Sequence, residues 1–136
     1  MTHERCPHTL ELVLDPISAV DLALYAAASG DLNPLHLDAE VARAAGFERP
    51  IAHGMRTMAC AARLFTARFG PTALSAIETR FVGTAKLGDS LVLRATLTGV
   101  EADADAASYA LSVQTSAGAP VATGSARVAL SAERAG

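Results

Sequence analysis

The stretch GMRTMACAARLFTARFG, residues 54–70, decides the fold that we predict for this chain. Its apolar residues recur every three or four positions, which predicts an amphipathic helix that begins at Gly54 and ends at Gly70-Pro71. The small residues at 59–62 would let this helix lie close against a sheet. The predicted apolar stripe consists of Met55, Met58, Ala59, Ala62, Phe65 and Phe69.

Segments with strand character lie on both sides of this helix. TLELVL, residues 9–14, precedes it, and four more follow it, divided by turn signals near 86–89, 103–105 and 118–120. The four later segments are 73–83, 90–100, 106–116 and 120–131. One strand, then helices, then four strands predicts an α+β fold in which an antiparallel sheet wraps around the helix at 54–69.

Two shorter helices are predicted before the central one. In DPISAVDLALYAAASG, residues 15–30, either Asp15 with Pro16 or Ser18 with Asp21 can form the N-cap, and Gly30 suits the left-handed end. LDAEVARAAG, residues 37–46, forms a second helix that is capped by Asp38 and ended by Gly46. The apolar face of the first helix is predicted to consist of Val20, Leu24, Ala27 and Ala28.

The composition bounds the class of protein. With 136 residues, we expect a single domain over 1–136 with a core of its own. The chain is 51% hydrophobic but 4% aromatic, with no Trp, so that its core has few large anchors. Cores of this kind gain burial by oligomerising, which makes a homodimer the expected assembly.

Charge and cysteine content exclude several classes of partner. The net charge is −3 and the basic residues are scattered, which argues against a nucleic-acid partner. No apolar run approaches the roughly 18–20 residues of a membrane span, and the N-terminus has no signal-peptide pattern. Cys6 and Cys60 lack CxxC spacing, so that we expect a reduced, cytoplasmic protein with no membrane contact.

The loop SGDLNPLH, residues 29–36, carries the first candidate site. It can be read simply as a helix stop and turn, with His36 as an ordinary loop histidine. Alternatively, Asp31 and His36 form an acid–base pair, since a carboxylate can orient or tune an imidazole. On a continuous helix they would lie about 140° apart, but Pro34 pushes Asn33 toward extended geometry, and a shaped loop can bring the pair together.

The second candidate is IAHGM, residues 51–55, at the start of the central helix. Gly54 provides the tight entry, and its backbone N–H points out of the helix end. Because a helix N-terminus stabilises developing negative charge, this N–H is a candidate oxyanion donor.

These two motifs resemble a known family. YAAASGDLNPLHLD at 25–38, followed by FERPIAHGM at 47–55, is similar to the MaoC-like, R-specific enoyl-thioester hydratases and 3-hydroxyacyl-thioester dehydratases. RFVGTAKLGDSL at 80–91 resembles the family's later strand and turn, although Thr84 and Ala85 replace the usual Pro-Val. Some relatives also present a serine hydroxyl from the central helix, where this chain has Ala-Cys-Ala-Ala.

The resemblance implies a hot-dog fold, assembled as a dimer, and a hydro-lyase that interconverts trans-2-enoyl and (R)-3-hydroxyacyl thioesters. Asp31 and His36 would be the catalytic pair and Gly54 the oxyanion donor, with no metal or redox cofactor. The acyl group would be carried by coenzyme A or by an acyl carrier protein, and which of the pair makes which proton transfer stays open. The residues that the resemblance implies for substrate binding are Ser29, Asn33, His53 and Met55.

The sequence argues against three other interpretations of the site. A metal site among Asp31, His36, Asp38 and His53 lacks HxxH or HxxxH spacing. A hot-dog thioesterase commonly carries a catalytic carboxylate or polar nucleophile on or near the central helix, and the absence of Asp and Glu from 54–69 counts against this interpretation. The stabilising subunit of a heterodimeric dehydratase tends to lack the Asp/His pair, which this chain keeps.

Overall fold

The computed structural model describes residues 5–130, and within them the predicted order of elements is confirmed. Ser131, where the last predicted strand ends, lies outside the described residues. The helices are α1 (Ala19–Ser29), α2 (Ala39–Ala44) and α3 (Gly54–Phe69), with a short 3-10 turn at Pro34–His36. The strands are β1 (Thr9–Val13), β2 (Leu74–Phe81), β3 (Leu91–Glu101), β4 (Ala106–Thr115) and β5 (Pro120–Ala129).

Within residues 5–130 the strands form one five-stranded sheet in the order β1-β3-β4-β5-β2, and every neighbouring pair is antiparallel. The hairpins β3-β4 and β4-β5 follow from the predicted turns. β2 instead crosses to the far edge and pairs with β5, along a register that runs from Leu74 opposite Val128 to Phe81 opposite Ala122. The α+β class with an antiparallel sheet and a central helix is confirmed.

The core lies between α3 and the sheet. The rings of Phe65 and Phe69 lie 5.6 and 6.0 Å from the ring of Tyr109 on β4, and all three side chains are buried. The Tyr109 hydroxyl donates a hydrogen bond to the Pro7 carbonyl at 2.8 Å, which satisfies the polar end of this large buried side chain. Burial raises the pKa of Tyr109 to about 12.

The predicted stripe of α3 is correct at its C-terminal end and wrong at its start. Met55 is 59% exposed and Ala59 is also exposed, whereas Thr57, Ala61 and Leu64 are buried. The alanines and methionines of this helix occur on several of its faces, so that its apolar periodicity fits more than one buried face. The two phenylalanines fix which face meets the sheet.

The predicted apolar face of α1 is wrong. Val20 and Leu24 are 65% and 64% exposed, and the buried residues are Leu22 and Ala26, which also lie four positions apart. Both spacings satisfy the helical period, and the periodicity alone could not choose between them.

The segment before α3 is held by backbone hydrogen bonds. Ala52 N–H donates to the Ala85 carbonyl at 2.8 Å, and Leu87 N–H donates to the Pro50 carbonyl at 2.9 Å. From the same segment, Ile51 N–H donates to the Leu35 carbonyl at 3.0 Å. These bonds fix the start of α3 beside the loop that follows α1.

Candidate active site

The end of α1 sets the direction of the loop that carries Asp31. Gly30 adopts φ 79°, a left-handed conformation that favours glycine, and its N–H closes the helix on the Ala26 carbonyl at 2.9 Å. The Ser29 hydroxyl accepts a hydrogen bond from Asp31 N–H at 3.1 Å. The predicted helix stop at Gly30 is confirmed.

Asn33 organises the next turn of this loop. Its side-chain oxygen accepts a hydrogen bond from Leu35 N–H at 3.0 Å and so caps the 3-10 turn, and its own N–H donates to Asp31 Oδ1 at 3.3 Å. Ser29 and Asn33, which the resemblance implies for substrate binding, therefore both make hydrogen bonds to the backbone or side chain of the loop. Asn33 thereby orients the Asp31 carboxylate, and Ser29 holds the Asp31 backbone.

His36 is held in one orientation by the backbone of Ile51. Its Nδ1 lies 2.7 Å from the Ile51 carbonyl oxygen. Because a carbonyl can only accept, Nδ1 carries the hydrogen, and in the neutral ring Nε2 bears a lone pair. That Nε2 lies 3.6 Å from Asp31 Oδ2, with the side chain of His36 10% exposed and that of Asp31 52% exposed.

The two facing atoms are thus both proton acceptors when the ring is neutral and the carboxylate ionised. They are too far apart for a direct strong hydrogen bond, and close enough for one water to donate to both. A water held in this way has its oxygen lone pairs free to attack an electrophilic carbon. The structure therefore brings the predicted pair into a geometry suited to activating water.

A cavity of about 200 Å³ lies beside His36, at the N-terminus of α3, and Asp31, Ser29 and Asn33 are not among the residues that line it. His36 and Gly54 both line it, together with Thr57 and Phe81. The first N–H groups of a helix have no partner inside it. In α3 the Arg56 N–H donates to the His53 carbonyl at 3.1 Å, and the side chain of His53, the N-cap residue, makes no capping hydrogen bond within the described chain. The Gly54 N–H can therefore stabilise negative charge on an oxygen in the cavity.

Gly54 leaves room for the ring of Phe81. A Cβ at position 54 would lie 3.2 Å from that ring, closer than ordinary van der Waals contact. Phe81 is 45% exposed and forms one wall of the cavity. Met55, the next residue on α3, is 59% exposed and is not among the residues that line the cavity.

His53 is buried directly behind the pair. It is 2% exposed, and its ring stacks on that of His36 with centroids 3.7 Å apart and planes 23° apart. Its Nε2 lies 3.1 Å from the Asp31 carbonyl oxygen. Burial lowers the pKa of His53 below its usual 6.5; the hydrogen bond to Asp31 raises it, and the neighbouring His36 and Arg56 lower it further.

Comparison with known proteins identifies the family. The sequence profile of the MaoC like domain matches residues 7–119. This chain belongs to the MaoC-like family. The hot-dog fold that the resemblance implied is confirmed by its structural neighbours.

Two solved structures and one curated relative illustrate what this MaoC-like chain is similar to. The (R)-hydratase from A. caviae involved in PHA biosynthesis matches with a TM-score of 0.79 and 30% identity, over 88% of this chain and 92% of that one. R-Hydratase PhaJ1 from Pseudomonas aeruginosa matches with a TM-score of 0.80 and 34% identity, over 89% and 78%. The peroxisomal enoyl-CoA hydratase 2 of Arabidopsis thaliana is 41% identical over 81 residues, which are 57% of this chain but 26% of that protein.

The structure also brings three potential metal ligands together in this MaoC-like site. Ligand atoms of Asp31, His36 and His53 lie within 4.8 Å of one another. However, a metal binds about 2.1 Å from each imidazole nitrogen and close to the plane of each ring. Two rings stacked 3.7 Å apart and 23° from parallel offer no such shared point. The ring geometry therefore disfavours a metal held by both histidines.

Sequence reasoning missed several residues of the MaoC-like site. Ile51 acts through its backbone, which leaves no side-chain signal. Phe81 and Thr57 reach the cavity from a distant strand and from the helix face that was wrongly predicted. Tyr25 also belongs to the site, since its ring lies 4.7 Å from that of His53.

Cellular location stays a prediction. No helix within residues 5–130 is both long and apolar enough to cross a membrane. The Arabidopsis relative carries a peroxisomal name, and the cytoplasmic location inferred from the sequence is untested.

Proposed function

We propose that this protein reversibly hydrates trans-2-enoyl thioesters to (R)-3-hydroxyacyl thioesters, with Asp31 and His36 as the catalytic pair. The observation that carries the proposal is the 3.6 Å separation of His36 Nε2 and Asp31 Oδ2 beside a cavity that His36 shares with Gly54 at the start of α3. Similarity to proteins named as (R)-hydratases and enoyl-CoA hydratase 2 supports the same reaction.

Water addition uses both members of the pair. The water oxygen forms a bond to C3 of the enoyl group as one O–H bond breaks, and the pair takes up that proton. The electrons of the C2=C3 bond move toward the thioester carbonyl and form an enolate. C2 then receives a proton from the pair, so that the pair ends in its starting protonation state.

The enolate oxygen is stabilised at the N-terminus of α3. We expect this charge to develop beside the Gly54 N–H and the positive end of the helix dipole, where Gly54 and Phe81 line the cavity. Contacts of this kind are worth about 3–4 kcal/mol where they have been measured in other enzymes. The same donors assist dehydration, because removal of the C2 proton forms the same enolate.

The test compares crotonyl-CoA hydration by the wild type, Asp31→Asn and His36→Ala, followed by loss of the enone absorbance and by chiral chromatography of the product. Each variant is expected to lose a factor of about 100 or more in kcat while remaining folded. The product of the wild type is expected to have R configuration.

Matched controls make the same chemical changes outside the site. Asp38→Asn preserves a good N-cap for α2, and His8→Ala removes an exposed histidine. Both should hydrate crotonyl-CoA at the wild-type rate. Equal losses in controls and site variants, or release of free coenzyme A instead of hydration, would contradict the proposal, the second in favour of a thioesterase.

The acyl carrier and the assembly belong to the same proposal. We propose that the thioester is carried by coenzyme A or by an acyl carrier protein, and that the enzyme is a homodimer. Support for the dimer comes from α1, where Val20 and Leu24 leave large apolar side chains 65% and 64% exposed. Light scattering on the purified chain, with activity assayed on the same fraction, would separate an active homodimer from a subunit that needs a different partner.

A further inference from the structure

We infer that His53 is a positioning residue, which sets the distance between Asp31 and His36 by contacting both of them and does not itself exchange protons with substrate. The inference rests on the proposed hydratase function, since it concerns the pair that carries that reaction. The resemblance implied a substrate-binding role for this residue. At 2% exposure and behind His36, however, His53 is not among the residues that line the cavity.

The first contact is with the ring of His36. The two imidazoles stack with centroids 3.7 Å apart, and on its other side His53 meets the ring of Tyr25 at 4.7 Å with planes tilted by 57°. His53 therefore lies between α1 and the 3-10 turn. The His36 ring is restrained in rotation because its Nδ1 is bound to the Ile51 carbonyl. It is restrained in tilt because one face of the ring packs against His53.

The second contact is with the backbone of Asp31. His53 Nε2 lies 3.1 Å from the Asp31 carbonyl oxygen, which can only accept, so Nε2 carries the hydrogen. One buried ring thus fixes the backbone of Asp31 and the side chain of His36. The separation of Asp31 Oδ2 and His36 Nε2 depends on both.

The same geometry keeps His53 uncharged. With its hydrogen on Nε2, Nδ1 is a buried atom that has no hydrogen-bond partner in the described chain. Protonation would place a second N–H there without an acceptor, which costs free energy in a buried site. The charged or titratable groups that face His53 are Asp31 and His36 from the loop, Tyr25 from α1 and Arg56 from α3.

A spectroscopic test needs no substrate. Long-range ¹H–¹⁵N spectra of the histidine rings are expected to show His53 as the neutral Nε2–H tautomer as the pH is lowered through 6.5, the usual pKa of histidine. His36 in its neutral form is expected to be the Nδ1–H tautomer. A His53 that carries its hydrogen on Nδ1, or that is protonated at pH 6.5, would overturn the inference.

The kinetic test uses three substitutions that remove different contacts. His53→Phe keeps a flat ring beneath His36 and loses the donor to Asp31, while His53→Gln keeps a donor of similar reach and loses the ring. His53→Ala loses both. We expect kcat for crotonyl-CoA to fall about 10- to 100-fold in His53→Ala and less in the other two, with KM within about twofold of wild type, because misplaced groups impair the chemical step.

The pH profile separates positioning from proton transfer. The acid limb of kcat/KM should keep its midpoint in His53→Phe, because the residue that was removed is uncharged. Loss of that limb, with His53→Phe and His53→Gln as inactive as His53→Ala, would assign proton transfer to His53 and overturn the inference. Unchanged kcat in a His53→Ala protein with a lowered melting temperature would also overturn it, in favour of a purely structural role.

These experiments distinguish a failure of the proposed function from a failure of the inference about His53. If the wild type hydrates no enoyl thioester, the proposed function fails, while the tautomer spectra still decide how His53 holds the loop. If the wild type is active and the spectra or the pH profile contradict the expectation, the inference about His53 alone fails. Thermal unfolding of each variant shows that the compared proteins are folded.

Discussion

The N-termini of α1 and α3 are built in opposite ways. At α1, Ser18 and Asp21 form a capping box, in which the Ser18 hydroxyl accepts from Asp21 N–H at 3.0 Å and the Asp21 carboxylate accepts from Ser18 N–H at 2.9 Å. At α3, the N-cap residue is His53, whose side chain makes no capping bond within the described residues. The third helical position holds Asp21 in α1 and Arg56 in α3, and these side chains approach to 3.9 Å.

The difference between the two N-termini matches the position of the cavity, which Gly54 at the start of α3 lines. In α1 the N–H groups of Ser18 and Asp21 are satisfied by side chains of the cap, and a carboxylate compensates the positive end of the helix dipole. The hydrogen bonds to Ser18 lower the pKa of Asp21 below its usual 3.8, with a smaller lowering from Arg56. In α3 the Arg56 N–H donates to the His53 carbonyl, but no side chain of the described residues caps the Gly54 N–H, and a cation adds to the positive end. One helix terminus is optimised for stability, and the other is left open to an anionic oxygen.

The largest effect is expected from removing an N–H at the open terminus. Gly54→Pro deletes this donor at a position where proline is favoured in helices, and His53 already has the extended conformation that precedes proline. We expect kcat for enoyl-thioester hydration to fall about 100- to 1,000-fold, which is typical of a lost oxyanion donor. Steady-state kinetics on a folded variant measures it.

Gly54→Ala is the matched control, because it adds the same Cβ facing the Phe81 ring but keeps the N–H. Since Phe81 is half exposed, its ring can shift, and the loss in kcat should be much smaller than in Gly54→Pro. Equal losses in kcat would mean that position 54 requires glycine because of the space beside Phe81, and not because of the N–H donor.

At the capped terminus we expect an effect on stability without one on chemistry. Ser18→Ala removes the cap of α1 and should lower the free energy of unfolding by about 1 kcal/mol, measured by urea denaturation. Ser18→Asn, which keeps a capping oxygen, should retain most of that stability. The contrast between the termini would be lost if Ser18→Ala reduced kcat of the folded protein as strongly as Gly54→Pro.

The smallest effect is expected at Arg56. Arg56→Gln removes the cation from the first turn of α3 and should lower kcat about two- to fivefold, the range of a charge–dipole contact of about 0.3–1 kcal/mol. Arg63→Gln, two turns further along the same helix, should leave kcat unchanged. A kcat of Arg56→Gln equal to wild type would show that the first-turn N–H groups act without help from this cation.

The features that sequence predicted correctly are local ones. The Ser18–Asp21 cap, the stop at Gly30 and the Asp38 cap of α2 each depend on residues within one turn of each other. The two short turns of the β3-β4-β5 meander are local in the same sense. The pairing of Asp31 with His36 could be anticipated because Gly30 ends α1 before them and Pro34 shapes the loop between them.

The features that sequence missed depend on distant parts of the chain. The buried face of α1 includes Leu22 and not Leu24, although both fit the same period. The Phe81 ring meets Gly54 because β2 crosses the sheet to pair with β5. The stacking of His53 on His36 joins residues 17 positions apart. It depends on the segment before α3, residues 50–52, whose hydrogen bonds no local sequence pattern specifies.

Ile51, in the segment before α3, is a position at which substrate preference could be redesigned. Its N–H donates to Leu35 and its carbonyl accepts from His36, so that its two catalytically relevant contacts are made by the main chain. Ile51 is also one of the residues that line the cavity. Residues of different size at position 51, proline excepted because it has no N–H, are therefore expected to alter acyl-group preference in the proposed reaction while the orientation of His36 is retained. A library at this one codon would vary substrate preference separately from the proton-transfer chemistry.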